Sequence, residues 1–267
     1  MDDAPTSALP SGTTIDRFLN GRFTLVQPAR GAHRCGSDAI LLAAMLPDAT
    51  VGHVVDLGSG PGAAGVAMAV RTQALVTLVD IDADALALAA DSLTRPENLF
   101  IAGRVQLLET DLAGPVAPFE KAGIPAGSVD HVLANPPFFR PGHHRPAPDE
   151  NRARARMLGE AGLHPWIRRS ASLLRTGGTL NLILPSDLLA EVIAEAQGRF
   201  GALDILPLHP GTGQAADRIL VKAVKASKAA LRIMPGLVMH DADGAYSAPA
   251  KRILRDGKAL PWPARKG

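Results

Sequence analysis

Val54-Val55-Asp56-Leu57-Gly58-Ser59-Gly60-Pro61-Gly62 is the stretch on which the fold turns. An apolar run enters a loop with glycine at every second position. Glycines permit a tight turn and let the backbone approach a ligand closely. The segment predicts a strand over His53–Leu57 and a helix over Gly62–Arg71, with free helix N–H groups aimed at the loop. Working outward, strands are predicted over Ala74–Asp80, Arg104–Glu109, Val129–Ala134 and Gly178–Leu184. Helices are predicted over Asp82–Leu93, Pro165–Leu174 and Ser186–Phe200. Two further strands fall at Ala202–Pro207 and Arg218–Val224. Upstream, Arg22–Gln27 alternates like a strand, and Ser37-Asp38 opens a helix through Leu46, stopped before Pro47. This alternation predicts an α/β, doubly wound fold: a mostly parallel sheet with helices on both faces.

Composition agrees. The chain has 267 residues, 46% hydrophobic but only 4% aromatic, so its core is built from Ala, Leu, Val and Ile. Residues 1–14, rich in Pro, Ser, Thr and Asp, are expected to be disordered or loosely held, leaving 15–267 as one domain. No run of about 18 apolar residues is present to span a bilayer, and the first residues do not read as a signal peptide. The expectation is a soluble cytoplasmic protein. Cys35 is the only cysteine, which excludes an intramolecular disulfide and reads as a small hydrophobe. The net charge of +2 is unevenly spread. From Gly213 onward eleven Lys and Arg face four Asp, +7 there against −5 elsewhere. A basic end of this kind fits either a polyanion footprint or a solvated surface.

The glycine loop alone also suits a dinucleotide enzyme. Its Gly-x-Gly-x-Gly spacing is tighter than the Gly-x-Gly-x-x-Gly of that class, however, and Asp56 would repel a pyrophosphate. A ligand carrying an amino group and a sulfonium would instead be attracted. Asp80 ends the next strand, about 20 residues on, where an acid accepts ribose hydroxyls; Asp82 is available to cap the following helix. Asp111 after the third strand is placed either to accept an adenine amino group or to act as a cap.

Asn135-Pro136-Pro137-Phe138 ends the Val129–Ala134 strand. Two prolines fix φ twice and remove two donors, so the carbonyls beside the Asn135 amide oxygen are held in one direction. Such acceptors suit a planar NH2 group, whose lone pair they help localise on nitrogen. Phe138 offers a ring on which a flat substrate can stack.

With these motifs in place, the chain resembles the class I methyltransferases that modify adenine amino groups or the side-chain amide of glutamine. From about Gly21 onward it is similar to the bacterial tRNA (adenine-N6)-methyltransferases, which act beside the anticodon of a valine tRNA. Arg34-Cys35-Gly36-Ser37-Asp38-Ala39-Ile40-Leu41-Leu42, Gly177-Gly178-Thr179 before Ile183-Leu184-Pro185, and Asp243-Gly244-Ala245-Tyr246-Ser247 support the likeness. The resemblance implies a seven-stranded sheet with its last strand antiparallel, and S-adenosylmethionine as cofactor. It implies cofactor contacts from Asp56, Gly58, Ser59, Gly60 and Gly62, from Asp80 with Ile81, from Asp111 with Leu112, and from Asp38 beside the methionine end. It implies Asn135, Pro136, Pro137 and Phe138 as the catalytic loop, with RNA, a tRNA, as partner. Phe138 departs from the Tyr frequent there and lacks its hydroxyl.

Arg140, Arg145, Arg152, Arg154 and Arg156 follow that loop against only Asp149 and Glu150. They are candidate contacts to RNA phosphates, or a solvated helix face. His143-His144 lacks metal-ligand spacing, and no metal is expected. Three readings stand at this stage: an RNA adenine methyltransferase, a protein glutamine-amide methyltransferase, and a non-enzymatic nucleotide-binding module or partner-binding scaffold.

Overall fold

The structure, a computed structural model, describes residues 12–29, 36–137, 162–263 and 265. An antiparallel hairpin comes first, β1 (Thr13–Phe18) on β2 (Phe23–Pro28). Thr13 and Thr14 thus stand inside a strand, correcting the expectation of a loose stretch through residue 14. The cause is the pairing itself, Thr13 opposite Pro28 and Thr14 opposite Gln27. Helix α1 (Ser37–Ala43) follows. It ends earlier than expected, with Ala44 as its C-cap.

The alternating core is β3 (His53–Leu57), α2 (Ala63–Arg71), β4 (Leu75–Asp80), α3 (Ala83–Leu93), a short α4 (Leu99–Ala102), β5 (Val105–Glu109), α5 (Ala117–Lys121) and β6 (Val129–Ala134). Then come α6 (His164–Leu173), β7 (Leu174–Pro185), α7 (Leu189–Ala196), β8 (Phe200–Gly211), β9 (Arg218–Lys225), β10 (Arg232–Ile233), β11 (Leu237–His240) and α8 (Ala248–Leu254). The predicted helix Ser186–Phe200 is divided: Ser186–Leu188 is a 3-10 turn, α7 stops at Ala196, and Phe200 opens β8.

The strands run β10-β8-β9-β7-β6-β3-β4-β5, with β11 also on β8. β9 is antiparallel to β7 and β8; every other pair in this sheet is parallel. The mostly parallel doubly wound sheet with a late antiparallel strand is therefore present. Among the described residues the sheet has nine strands rather than seven. β8 is twelve residues long, and β10 and β11 cover the edge that it would otherwise leave open.

Each face of the sheet carries a hydrophobic cluster. Residues of α1, α2, α3 and α8 pack on one side with Val54, Leu78, Leu133 and Leu220. Phe119, Trp166, Ile167, Val192 and their neighbours pack on the other with Val55, Leu57, Val132 and Leu182. The hairpin is tied to the first layer through Asn98. Its side chain accepts from Thr24 N–H at 3.2 Å and donates to Thr24 C=O at 2.7 Å.

Candidate functional site

Parallel strands in register bring their C-terminal ends to one edge. Leu57 pairs with Val79 and with Ala134, and Asp80 pairs with Glu109. The loops after β3, β4, β5 and β6 therefore share that edge. β3 lies between β4 and β6, so successive connections leave it in opposite directions. A crevice at such a reversal is where open α/β sheets take ligands.

Gly58, Gly60 and Gly62 all have positive φ (65°, 54° and 93°). At Gly58 the requirement is doubly strict. A Cβ there would lie 2.4 Å from the Trp166 ring, which α6 presses against the loop. Gly62, in the left-handed region, is the N-cap of α2, whose first turn points at the loop. Beyond Gly60 the space is open.

Asp80 locks this loop to the next. Its Oδ2 accepts from Gly60 N–H at 2.7 Å and its Oδ1 from Asp82 N–H at 2.9 Å. Burial raises its pKa, and these bonds oppose the rise. Asp82 caps α3 by accepting from the Asp84 and Ala85 N–H groups, so the cap does not require Asp80. Asp56 is 2% exposed and lies beneath the loop, its Oδ2 accepting from Gly65 N–H at 2.8 Å. Burial pushes its carboxyl up to about 7; the Gly65 bond opposes that shift and the nearby Asp80 charge reinforces it. Asp56 thus acts on anything above the loop through its charge rather than by contact.

After β5, Asp111 is exposed and accepts from Ala113 N–H at 2.8 Å, while Leu112 is buried. This turn is held by Arg169, a residue that sequence reasoning missed. Arg169, 7% exposed on α6, donates through Nε to Leu112 C=O at 2.8 Å and through Nη2 to Gly114 C=O at 2.5 Å. Its guanidinium also sits 4.8 Å from the centre of the Phe119 ring. No motif marks it out from the adjacent Arg168, and neither Trp166 nor Arg169 carries a signal in the sequence alone.

Asn135 follows β6 at the same edge and is exposed; Pro136 behind it is buried. Asp38, at the start of α1, pairs with Arg218 at 3.3 Å. Arg218 opens β9 opposite Pro185, the last residue of β7, so this pair walls the same edge beyond β7. The structure therefore gathers Gly58, Ser59, Gly60, Gly62, Asp80, Ile81, Asp111, Leu112, Asn135, Pro136 and Pro137 along one edge, with Asp38 at its flank. Phe138, Arg140, Arg145, Arg152, Arg154 and Arg156 lie outside the described residues, as do Cys35, His143 and His144.

These groups fit a nucleoside carrying a cationic tail. Open space lies over Gly60, a fixed carboxylate stands at the end of β4, an exposed acceptor follows β5, and a buried acid lies below. Among the described residues no group of three or more His, Cys, Asp or Glu is disposed to hold a metal ion, and no helix is long and apolar enough to cross a membrane.

Known proteins agree with this geometry. The family model of the methyltransferase small domain matches residues 32–206. A tRNA1(Val) (adenine(37)-N6)-methyltransferase from Enterobacter sp. (strain 638) is 29% identical over 72% of this chain and 82% of its own length. Its counterpart from Shewanella sp. (strain W3-18-1) is 25% identical over 82% of this chain and 90% of its own. The crystal structure of a predicted O-methyltransferase from Agrobacterium tumefaciens is similar at 33% identity and a TM-score of 0.71, covering 84% of this chain and 98% of that one. The TYW2 protein of M. jannaschii, crystallised with AdoMet, shares the fold at 11% identity and a TM-score of 0.53, over 81% of this chain and 87% of that one.

Proposed function

Since the chain belongs to the methyltransferase small domain family, we propose that it is an S-adenosylmethionine-dependent N-methyltransferase whose acceptor is the 6-amino group of an adenine in tRNA. The observation that carries this reading is Asn135-Pro136-Pro137 at the end of β6, on the strand beside the glycine loop. The names of the relatives support the acceptor, and the AdoMet complex of a fold neighbour supports the cofactor.

Gly58 to Gly62, Asp80 with Ile81, and Asp111 with Leu112 would hold the cofactor, with Asp38 toward its methionine end. When bound, S-adenosylmethionine supplies a methyl group already activated by its sulfonium. What remains for the protein is alignment and exclusion of water. The Asn135 amide oxygen and the Pro136 carbonyl accept from the two N–H bonds of the exocyclic amine. That turns the nitrogen lone pair out of conjugation and toward the methyl group, and the amine gives up one proton to water after transfer. Phe138 would stack the base, extruded at low cost from a loop. Arg140, Arg145, Arg152, Arg154 and Arg156 would contact phosphates as the strand passes.

The predicted O-methyltransferase carries a different acceptor in its description. An oxygen nucleophile needs a base to take its proton, whereas Asn135 and a proline carbonyl serve a donor that keeps its protons until attack. The nitrogen reading therefore fits these residues better.

The test is transfer of labelled methyl to RNA from a strain lacking this gene, followed by digestion to nucleosides. Label in N6-methyladenosine is expected, with Asn135→Ala reducing kcat by about 100-fold, the loss of one oriented polar contact. Label in a protein fraction and not in RNA would replace this acceptor with a glutamine amide.

A further inference from the structure

The basic C-terminal end divides in two. Part of it is consumed inside the molecule. Arg218 pairs with Asp38, Lys225 donates to Leu174 C=O, and Arg232 and Arg265 both bind the buried Asp204. Four others form a group on the surface. Lys251, Arg252, Arg255 and Lys258 are exposed on α8 and the turn that follows. Ala250 and Ile253 face inward from the same helix, which turns the basic side chains outward.

A second segment, more than two hundred residues away in sequence, meets this one. The β1–β2 turn packs on the 255–258 turn. Asn20 Nδ2 donates to Asp256 Oδ1 at 3.4 Å, and a Cβ at Gly257 would lie 3.0 Å from Leu19 and 3.2 Å from Arg22 Nη1. Arg22 also donates to Val70 C=O near the end of α2. Arg22 is exposed here. Five exposed cations, Arg22, Lys251, Arg252, Arg255 and Lys258, thus gather about the 255–258 turn, where the one acid, Asp256, is already engaged by Asn20.

The place matters as much as the charge. α2 starts at the glycine loop and runs away from it, so Val70 and the β1–β2 turn lie toward the opposite edge of the sheet from Asn135. At 1.5 Å per helical residue, nine residues of α2 alone span about 14 Å. A small acceptor held at Asn135 would not reach the patch; a long polyanion would.

We propose that α8, the 255–258 turn and the β1–β2 turn form a docking surface for the phosphate backbone of the RNA acceptor, distant from the reacting base. This rests on the RNA reading given above. Guanidinium and ammonium groups suit phosphate oxygens, and binding that releases counterions weakens steeply with salt.

The test compares the wild type with Lys251→Gln/Arg252→Gln/Arg255→Gln/Lys258→Gln, and with Lys121→Gln, which removes a single exposed charge from α5, outside the patch. Each is assayed on unfractionated tRNA from the deletion strain at several salt concentrations, with melting temperature checked. The quadruple variant should show KM for tRNA raised about ten-fold near physiological salt and a flatter dependence of log KM on log salt. Its kcat at saturating tRNA should be retained, and Lys121→Gln should match the wild type. A quadruple variant with the wild-type KM and salt slope would overturn the surface. A wild type that methylates no RNA would instead overturn the acceptor reading, a separate outcome visible before any variant is made.

Discussion

Asp56 shows how one side chain serves the crevice without touching its contents. It is buried, its partner is a helix N–H, and burial raises its pKa to about 7. The sign follows from linkage. A carboxyl whose folded pKa lies above its ordinary 3.8 favours the folded state when protonated, so its contribution is full below about 4 and is lost as pH rises toward 7. Bound positive charge above the loop reverses the preference and draws the proton off. The affinity for S-adenosylmethionine should therefore rise with pH between about 5 and 7, by up to about ten-fold per unit, with proton release seen by calorimetry in two buffers. Asp56→Asn, which keeps an acceptor for Gly65 N–H, should flatten both the affinity profile and the decline of stability over that range. An affinity profile unchanged by Asp56→Asn would show that the carboxyl has no electrostatic part in binding. The acid was readable from the sequence as the end of an apolar strand. Its depth below the loop was not, because depth is set by Gly65 and the helix that covers it.

At the scale of elements, α6 is the support of the crevice. Trp166 backs the glycine loop, and one turn later Arg169 holds the carbonyls of Leu112 and Gly114. A single helix therefore braces both the loop after β3 and the loop after β5. Arg169→Lys keeps the charge but loses the fork of donors, so the Asp111-Leu112 turn should loosen. We expect KM for S-adenosylmethionine to rise about ten-fold with kcat at saturation within about two-fold, since the turn contacts ground and transition states alike. A lower kcat at an unchanged KM would place Arg169 elsewhere in the reaction. The regular βα alternation from β3 to β5 was legible because β3 and β4 are buried apolar runs and all three strands end in an acid or run into a glycine. β1 was not: Thr13–Phe18 turns Ile15 outward, 41% exposed, so polarity does not mark its inner face. β10 and β11 were missed for another reason. They are two and four residues long and exist only because β8 extends a template beside them. Arg169 follows the same logic: its role lies in carbonyls more than fifty positions away, which no local pattern encodes.

Across the whole molecule, the last residues close the first layer of helices. Arg71 Nε donates to Gly257 C=O at 2.7 Å, Leu260 N–H to Ala44 C=O at 2.8 Å, and Arg265 Nη2 to Asp204 at 2.6 Å. The tail thus crosses from the end of α2, over α1, to β8 near the far side of the sheet. Asp204 is 5% exposed and receives both Arg232 and Arg265, so the charge buried there is compensated from two segments. Four of the eleven basic residues that suggested a polyanion footprint in the sequence, Arg218, Lys225, Arg232 and Arg265, are engaged within the molecule, which is why charge counting alone could not locate a binding face. Removing Lys258 to Gly267 would take away buried Leu260, the Trp262 ring beside Lys222, and one of the two guanidiniums on Asp204. Burial of Leu260 alone is worth about 2 kcal/mol, and the polar losses bring the total to about 4 kcal/mol. For a chain of this size that corresponds to a fall in Tm of about 10 °C. Arg265→Met, which spares Leu260 and Trp262, should cost less than half as much, because Arg232 still pairs with Asp204 through two bonds. Thermal melts of both proteins check this, and a truncated chain melting within about 2 °C of the full one would show that the tail lies on the surface without holding it together.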